Sequence, residues 1–534
     1  MATIRSLLRD HVTLQVRSVD RIFLQGYVPR LMSEGLVVRF LLDRGFRIPS
    51  PSLLGDIGRR YVAAVERFAA EQGVELIHFE RRESKEQRVA PYLEAAAAAG
   101  RFGVVVIGVA QEKVSGWRGW RDGGPDGHPH FRFGRQSLFV NHYYFYVRDR
   151  EWGPAFVKTC AYAPYPLWLC LNGHEWAKRQ AEQQGLPFTA LDNGFRSCAD
   201  AEALAAICAR LSAARVWAFF RRYERLLPSP FTDEDRARGY RYQLALRQLE
   251  LSDTRVFDRP QAGRDWFERV IRDQLSLGRP DHVSLVFARK VIATTPGRFQ
   301  TRVINSGVEP AIQVLYKHSK VKQYFKEGRA LRTETTVNDT YDFGVGRLLN
   351  HQNWEALLQI GQQTNQRLLD AQLQACACAP DATTLARVVL PSRTPDGHPA
   401  PALRFGDPRA QALLAALCCF QHLLNGLTNR TLRDLVAGFL PGYTARQMTY
   451  DLRRLRANGL VERIPGSRRY QVTDEGRRLA VFFAKTYARV VNPSLAEPDP
   501  TLPPEIAARA PLARAWRAYE HALNTRIQDA ALAA

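Results

Sequence analysis

The sequence predicts an α/β (α+β) chain of several domains. A strand–helix–strand unit comes first, then a β-rich central body with a basic meander, and last a helix-turn-helix followed by a hairpin. Three observations predict this. Apolar runs and helical stripes alternate over the first hundred residues. Aromatic and β-branched runs bounded by Gly, Pro and Asp dominate the middle. Residues 428–470 carry two capped amphipathic helices and then two short strands. The corresponding divisions are 1–117, 135–379 with the meander at 299–337, a linker at 380–409, the helix-turn-helix segment at 410–490, and a Pro-rich spacer with a terminal helix at 491–534.

In chain order, Val62, Val65 and Phe68 space a helix over 60–72, and 74–79 is a short apolar strand. An Ala-rich helix over 86–99 leads to a second buried strand over 102–110, and connections this short favour parallel neighbours. Residues 118–134 are rich in Gly, Asp and Pro and read as a loop. A Tyr- and Phe-dense strand (137–147), a turn (148–154) and a partner strand (155–161) form a hairpin. The strand 167–171 runs into a helix capped by Asn172, with Glu175 placed to close a capping box. Helices follow over 200–227, 263–277 and, beyond the meander, 353–373.

Near the C-terminus, Leu432, Leu435, Val436 and Phe439 mark the core face of one short helix, and Pro441-Gly442 breaks it. Thr444 caps the next helix with Gln447 three residues on; Met448, Leu452 and Leu455 form its buried stripe, and Asn458-Gly459 ends it. Its other face carries Arg446, Gln447, Tyr450, Arg453 and Arg454. Strand-like segments at 460–464 and 470–473 flank the turn Pro465-Gly466-Ser467-Arg468-Arg469. The segment resembles the winged-helix domains of MarR-like regulators, above all in Tyr450-Asp451-Leu452-Arg453-Arg454-Leu455 and Gly459-Leu460-Val461. The resemblance implies a winged helix whose second helix enters the major groove of duplex DNA, with Arg468 and Arg469 on the wing. Such modules also dock proteins. Thirteen Arg or Lys against five Asp or Glu between Gln421 and Val490 favour phosphate as the partner.

The whole chain shares that bias. Its formal net charge of +22 over 534 residues points to a polyanion, duplex DNA first and RNA second, ahead of a membrane surface. With 46% hydrophobic and 24% charged residues it is ordinary globular protein. No run of apolar residues is long enough to span a bilayer, and the first ten residues are charged where a signal peptide is apolar. The eight cysteines lack zinc spacing, and Cys376-Ala377-Cys378 reads as helix surface, so a reduced, cytoplasmic protein is expected. Of only ten lysines, four crowd into one stretch: Lys317, Lys320, Lys322 and Lys326.

That stretch carries the chemistry the sequence favours. Alternation puts Arg332, Glu334 and Thr336 on one face of a strand, and a three-residue loop at the preceding hairpin would set Lys322 across from Glu334 and Tyr324 across from Arg332. A two-residue loop would shift the pairing by one. A carboxylate among cations suits phosphodiester chemistry: Glu334 as metal ligand and catalytic group, with Lys317, Lys320, Lys322, Lys326 and Arg332 on phosphate. The alternative is a plain ion pair of Glu334 with Lys322 or Arg332. Tyr316-Lys317 through Leu331-Arg332-Thr333-Glu334 is also similar to a pattern in plasmid rolling-circle replication initiators, a resemblance that implies Tyr316 or Tyr324 as a strand-cleaving nucleophile. Glu80 and Glu112 follow the two N-terminal strands, where parallel neighbours would bring both to one carboxyl edge. The alternative is that strand ends simply turn polar there.

Further polar groups fit without being required: Lys178 and Arg179 at the Asn172 helix, Asp149, Glu151, Lys158 and Asp192. Tyr143 to Tyr146 offer rings for stacking or for the core. His128-Pro129-His130 lacks the strand that a metal motif of that spacing needs. P-loop, dinucleotide, nucleophile-elbow and zinc-finger signatures are missing, so no nucleotide or organic cofactor is implied. The expected function is therefore a nucleic-acid-binding protein whose body processes DNA, as a Mg²⁺- or Mn²⁺-dependent nuclease of mobile-element or plasmid type. A non-catalytic transcriptional regulator and an RNA-binding component of a ribonucleoprotein are the alternatives.

Overall fold

The computed structural model describes residues 4–123, 129–274, 285–287, 301–305, 310–326, 328–376, 380–405, 407–419 and 422–486, with scattered positions between 515 and 525. Glu327, His128, Ala377-Cys378, the Pro-rich spacer and most of the terminal helix lie outside the described residues. The chain is an α/β protein of two compact units, residues 1–271 with 284–369, and residues 272–283 with 370–534.

The first unit is organised by one sheet. Its strands in chain order are β1 (Val12–Tyr27), β2 (Glu75–His78), β3 (Gly103–Gly123), β4 (Pro129–Asp149), β5 (Gly153–Cys160) and β6 (Leu167–Asn172). A separate small hairpin, β7 (Phe188–Leu191) and β8 (Gly194–Cys198), precedes β9 (Gln243–Phe257), β10 (Leu285–Phe287), β11 (Thr301–Asn305), β12 (Pro310–Tyr316), β13 (Ser319–Lys326) and β14 (Ala330–Val337). The order across the sheet is β10-β11-β12-β13-β14-β9-β1-β6-β5-β4-β3-β2. Pairing is parallel at β2–β3 and β10–β11 and antiparallel between.

Several expectations meet the structure directly. The strand–helix–strand unit is present as β2, the helix Lys85–Ala98 and β3, with β2 and β3 parallel. The basic meander is β11 to β14, antiparallel throughout. Lys326 pairs with Ala330, so the loop has three residues and Lys322 does lie across from Glu334. Two expectations differ. The stretch 118–134 continues β3 and opens β4, and Pro129 and His130 are strand residues. Cross-strand pairs as far as Gly123–Pro129 supply the backbone order that Gly and Asp would not supply alone. A boundary at residue 117 therefore falls inside β3, and one sheet takes strands from both sides of it.

Helices Pro51–Gln72, Gly173–Gln183, Ala201–Ala209, Ala213–Leu226 and His351–Cys376 contribute to the main core. Trp152, Trp176 and Trp354 are fully buried there. No single helix among the described residues is long and apolar enough to cross a membrane. The pair Ala201–Ala209 and Ala213–Leu226 passes such a test together, bent by 63°, but Leu204, Ile207, Val216 and Phe219 are core residues.

In the second unit, helices Asn429–Phe439 and Ala445–Ala457 precede a hairpin of Val461–Arg463 with Tyr470–Val472 and the helix Asp474–Thr486. Capping boxes at Thr428 and Thr444 start the first two helices. Leu432, Val436, Met448, Leu452 and Leu455 are buried together, as the stripes require. The stretch expected to be a linker is folded instead. It forms the helix Ala382–Val389, Val388 and Leu403 are buried in the same core as the two capped helices, and Ala400 is buried too. Its carbonyls at Pro401 and Ala402 accept hydrogen bonds from Asn458 and Arg454. Pro-rich composition allows such a strap, because its carbonyls need donors from outside the segment.

Arg454 is consequently buried (8% exposed), with Asp451 3.6 Å away, whereas Arg453 one residue earlier is exposed. Replacing Arg454 with Ala should destabilise the second unit by about 2 kcal/mol, the range for a charged hydrogen bond. Arg453→Ala should leave thermal stability unchanged. Equal losses for the two variants in a denaturation series would contradict the assignment.

Candidate acidic centre on the sheet

The residues around Glu334 explain themselves strand by strand. On β14, β13 and β9, alternation and cross-strand pairing put Arg332, Glu334 and Thr336 beside Tyr324, Lys322 and Lys320, and beside Thr254, Ser252 and Glu250. On β1 the register slips: Val19 pairs with Leu251 and Ile22 with Leu249, so both Asp20 and Arg21 face the single residue Glu250. Such a bulge re-aims a side chain. Here it turns Asp20 towards the acids of β9 and β14. Asp20, Glu250 and Glu334 each bring an oxygen within 4.8 Å of the others and can hold a metal ion. Asp20 and Glu250 are 4% and 7% exposed and the Glu334 side chain is 12% exposed.

Cations and donors brace the three carboxylates. Arg332, 1% exposed, pairs with Asp20 and lies 3.4 Å from Glu334. It also donates to the Asn193 carbonyl and, at 2.8 Å, to His174 Nε2. Asn193 Nδ2 donates to Asp20 Oδ1 at 2.7 Å, and the Tyr324 hydroxyl to Glu334 Oε2 at 3.1 Å. Arg21 reaches Glu250 at 3.9 Å, and Lys322 sits 4.3 Å from the centroid of the Tyr324 ring. Two glycines permit the enclosure. A Cβ on Gly173 would stand 2.3 Å from the Val19 carbonyl oxygen beside the bulge, and Gly194 (φ 141°) carries the β7–β8 turn over Arg332.

The charges are unequal in environment. Burial and then the neighbouring Glu334 push the Glu250 carboxyl up to about 7, against the pull of Arg21. Burial works to raise Asp20, but Arg332, His174, the Asn193 hydrogen bond and Arg21 together outweigh it and hold the group below the ordinary aspartate range. Burial followed by Arg332 drives His174 down to about 3, so it is neutral. Burial lowers the Lys322 ammonium, partly offset by Glu334.

Other expected residues go elsewhere. Glu112 is not at a strand end. It lies inside β3, and Lys85, Lys158 and the Tyr144 hydroxyl all bind its carboxylate. Burial opposes ionisation there, yet the hydrogen bonds from Lys158, Lys85 and Tyr144 take it down to about 2. Glu80 is exposed beyond β2, in a turn where its own N–H donates to Glu83, and it does not join Glu334. Lys317 is exposed at the β12–β13 turn, and Lys326 lies 3.9 Å from Asp192. Tyr316 is buried against Phe343, so of the two tyrosines Tyr324 is the one at the acids. Asn172 caps its helix through His174 and Glu175, while Glu175 pairs with Lys178 rather than closing a box. Tyr143 to Tyr146 are all buried.

In the second unit, Arg446, Arg453 and Arg468 are exposed and Tyr450 is 50% exposed. Arg454 leaves this set because it is buried, as does Arg332 from the expected phosphate contacts in the first unit. The Gln447 side-chain Oε1 is spent on the Thr444 cap, and Arg469 is partly buried. Arg456 and Arg463, unmarked in the sequence, are exposed. The larger omissions are Asp20, Glu250, Arg21, His174 and Asn193. A usable signal existed for Glu250, an acid between Leu249 and Leu251 in an alternating strand, but none announces the bulge at Asp20.

Because the folded pKa of Glu250 lies above its ordinary value of 4.5, the folded state keeps a proton that the unfolded chain has lost. Stability in metal-free buffer should fall as pH rises from about 4.5 to about 7, by roughly 3 kcal/mol, and then level off. Glu250→Gln should match the parent near pH 4 and exceed it at pH 8 in thermal unfolding. A constant difference across that range would rule out the assigned shift. No family model, curated protein or solved structure matches the chain.

Proposed function

We propose that the protein is a DNA-binding, divalent-metal-dependent nuclease. Its second unit grips duplex DNA as a winged helix, and its first unit cuts at the acidic centre. The observation carrying this reading is the convergence of Asp20, Glu250 and Glu334 beside Arg21, Lys322 and Arg332. The donor set is all carboxylate oxygen, which suits Mg²⁺ or Mn²⁺ rather than softer metals. A cation there would also relieve the mutual repulsion that raises Glu250. When bound, such an ion supplies Lewis-acid stabilisation of the phosphoryl oxygens.

The chain's own residues account for the remaining requirements. Arg332 and Asn193 fix Asp20, and Tyr324 orients Glu334 by donating to it. Arg21 (58% exposed side chain) and the half-buried Lys322 border the acids and can turn towards a phosphate. Arg446, Tyr450 and Arg453 lie along the exposed side of the helix Ala445–Ala457, which supports its role in the major groove. Together with Arg468 they supply the salt-dependent part of the affinity. A body of this size exceeds what a repressor needs, consistent with a mobile-element or plasmid role.

Purified full-length protein is incubated with labelled duplex DNA, single-stranded DNA and structured RNA, with Mg²⁺, Mn²⁺ or chelator. Metal-dependent cleavage should disappear in Glu334→Gln and Glu250→Gln while binding survives. Arg446→Ala with Arg453→Ala should weaken duplex binding at least tenfold and flatten its salt dependence. Tight binding without cuts under either metal would overturn the nuclease in favour of a regulator, or of a ribonucleoprotein component if structured RNA is preferred.

A further inference from the structure

The acidic centre stands at one end of a longer surface on the same side of the sheet. Phe156 on β5 pairs with Cys170 on β6, and Cys170 with Phe23 on β1. One row along, Lys158 pairs with Trp168 and Trp168 with Gln25. Phe23, Phe156, Trp168 and Cys170 are half-buried, whereas the alternate residues Ile22, Leu24, Val157 and Leu169 are sealed in the core. One face of these strands is therefore sealed in the core, and on the other Phe23, Phe156 and Trp168 stay partly exposed, Phe156 packing with Tyr144 and Tyr146. From Phe23 the same side of β1 continues to Arg21, which meets Glu250. The Cys170 thiol lies within electrostatic reach of Arg21, Glu250 and Asp20, so rings and acids are contiguous.

The chemistry of this face selects its occupant. Rings alternate with cations: Lys158 lies 4.3 Å from the Trp168 centroid, Arg21 stands beyond Phe23, and Lys322 is 4.3 Å from the Tyr324 centroid. Rings take up base faces and cations take up phosphates, the combination that binds single strands without sequence preference. A duplex conceals its base faces, and a purely apolar partner would cover the exposed Arg21 side chain without offering it an anion. From β5 to β13 there are five inter-strand steps, about 24 Å at the usual spacing of about 4.8 Å, room for several nucleotides.

We propose that this face, running from β5 across β6 and β1 to β9, β14 and β13, is a track for single-stranded nucleic acid that leads into the acidic centre. What happens at the end of the track rests on the nuclease reading; the binding itself does not. Stacking on Phe156, Trp168 and Phe23 holds the bases, and Arg21 and Lys322 follow the backbone, while Lys158 stays paired with Glu112 beside the Trp168 ring.

The test uses the full-length protein in chelator, so that binding is read without cleavage. The probes are a labelled oligothymidylate and an oligouridylate of about 16 nucleotides, the upper range of known single-strand footprints, an abasic strand of the same length, and a duplex. The parent should prefer the base-bearing strands to the abasic one. Phe23→Leu and Trp168→Leu, which keep apolar volume but remove the ring, should each weaken oligothymidylate binding roughly fivefold or more. Abasic-strand and duplex affinity should be unchanged. Equal affinity of the parent for base-bearing and abasic strands overturns the track even if either variant is unstable, and so do unchanged variants. The oligouridylate arm distinguishes RNA from DNA as the source of the strand. Ring-dependent binding with no cleavage once Mg²⁺ or Mn²⁺ is restored would keep the track and discard the nuclease; cleavage without ring-dependent binding would do the reverse.

Discussion

Arg332 is the constraint on which the first unit turns. A guanidinium that is 1% exposed must find partners for its charge and its donors, or its burial costs several kcal/mol. It finds Asp20, Glu334, the Asn193 carbonyl and His174, which come from β1, β14, the β7–β8 turn and the start of a helix. None of these elements can shift alone without exposing the cation to an incomplete shell. Since arginine only donates, His174 Nε2 must accept from it, and the Ser252 hydroxyl, 3.0 Å from the same nitrogen, donates to the Ser18 carbonyl. The ring proton then sits on Nδ1. A neutral histidine of this tautomer agrees with burial and Arg332 both opposing its protonation.

The same side chain chemistry gives opposite results a few strands apart. Glu112 and Glu250 are both carboxylates on one sheet, and burial opposes ionisation of each. Two lysines and a tyrosine hydroxyl surround Glu112 and leave it a committed anion. Glu250 has another carboxylate as its strongest electrostatic neighbour, with only Arg21 and Lys320 in compensation, and its carboxyl is pushed up to about 7. Glu112 is thus a satisfied structural ion. Glu250 and its neighbours form an unsettled group of charges, which is where a ligand of opposite sign gains most.

The helices and hairpin of the C-terminal unit are legible in the sequence because their information is local. Caps at Thr428 and Thr444, the stripes through Leu432 and Met448, and the Gly459 stop each depend on residues within four positions. The strap over 380–409 is not legible there for the complementary reason: Val388 and Leu403 bury themselves against helices that follow them in the chain. The burial of Arg454 is hidden in the same way, since the carbonyl that draws it inward lies 52 residues earlier.

For the first unit, the sequence by itself determined the strand–helix–strand unit, the aromatic hairpin, the basic meander, the three-residue loop option and the side of β14 that Glu334 shares with Arg332, but not β1 or β9. These follow from a period of two and from turn chemistry, both short-range. Only the tertiary structure decided that Glu334 meets Asp20 and Glu250 rather than Glu80 and Glu112. That choice depends on the order of strands, in which β14 lies beside β9 and β9 beside β1, more than three hundred residues away in sequence from Glu334. It depends also on a one-residue bulge in β1 that reverses the direction of Asp20. Period and propensity are indifferent to both, because each is settled by which distant strand offers a partner for a buried charge.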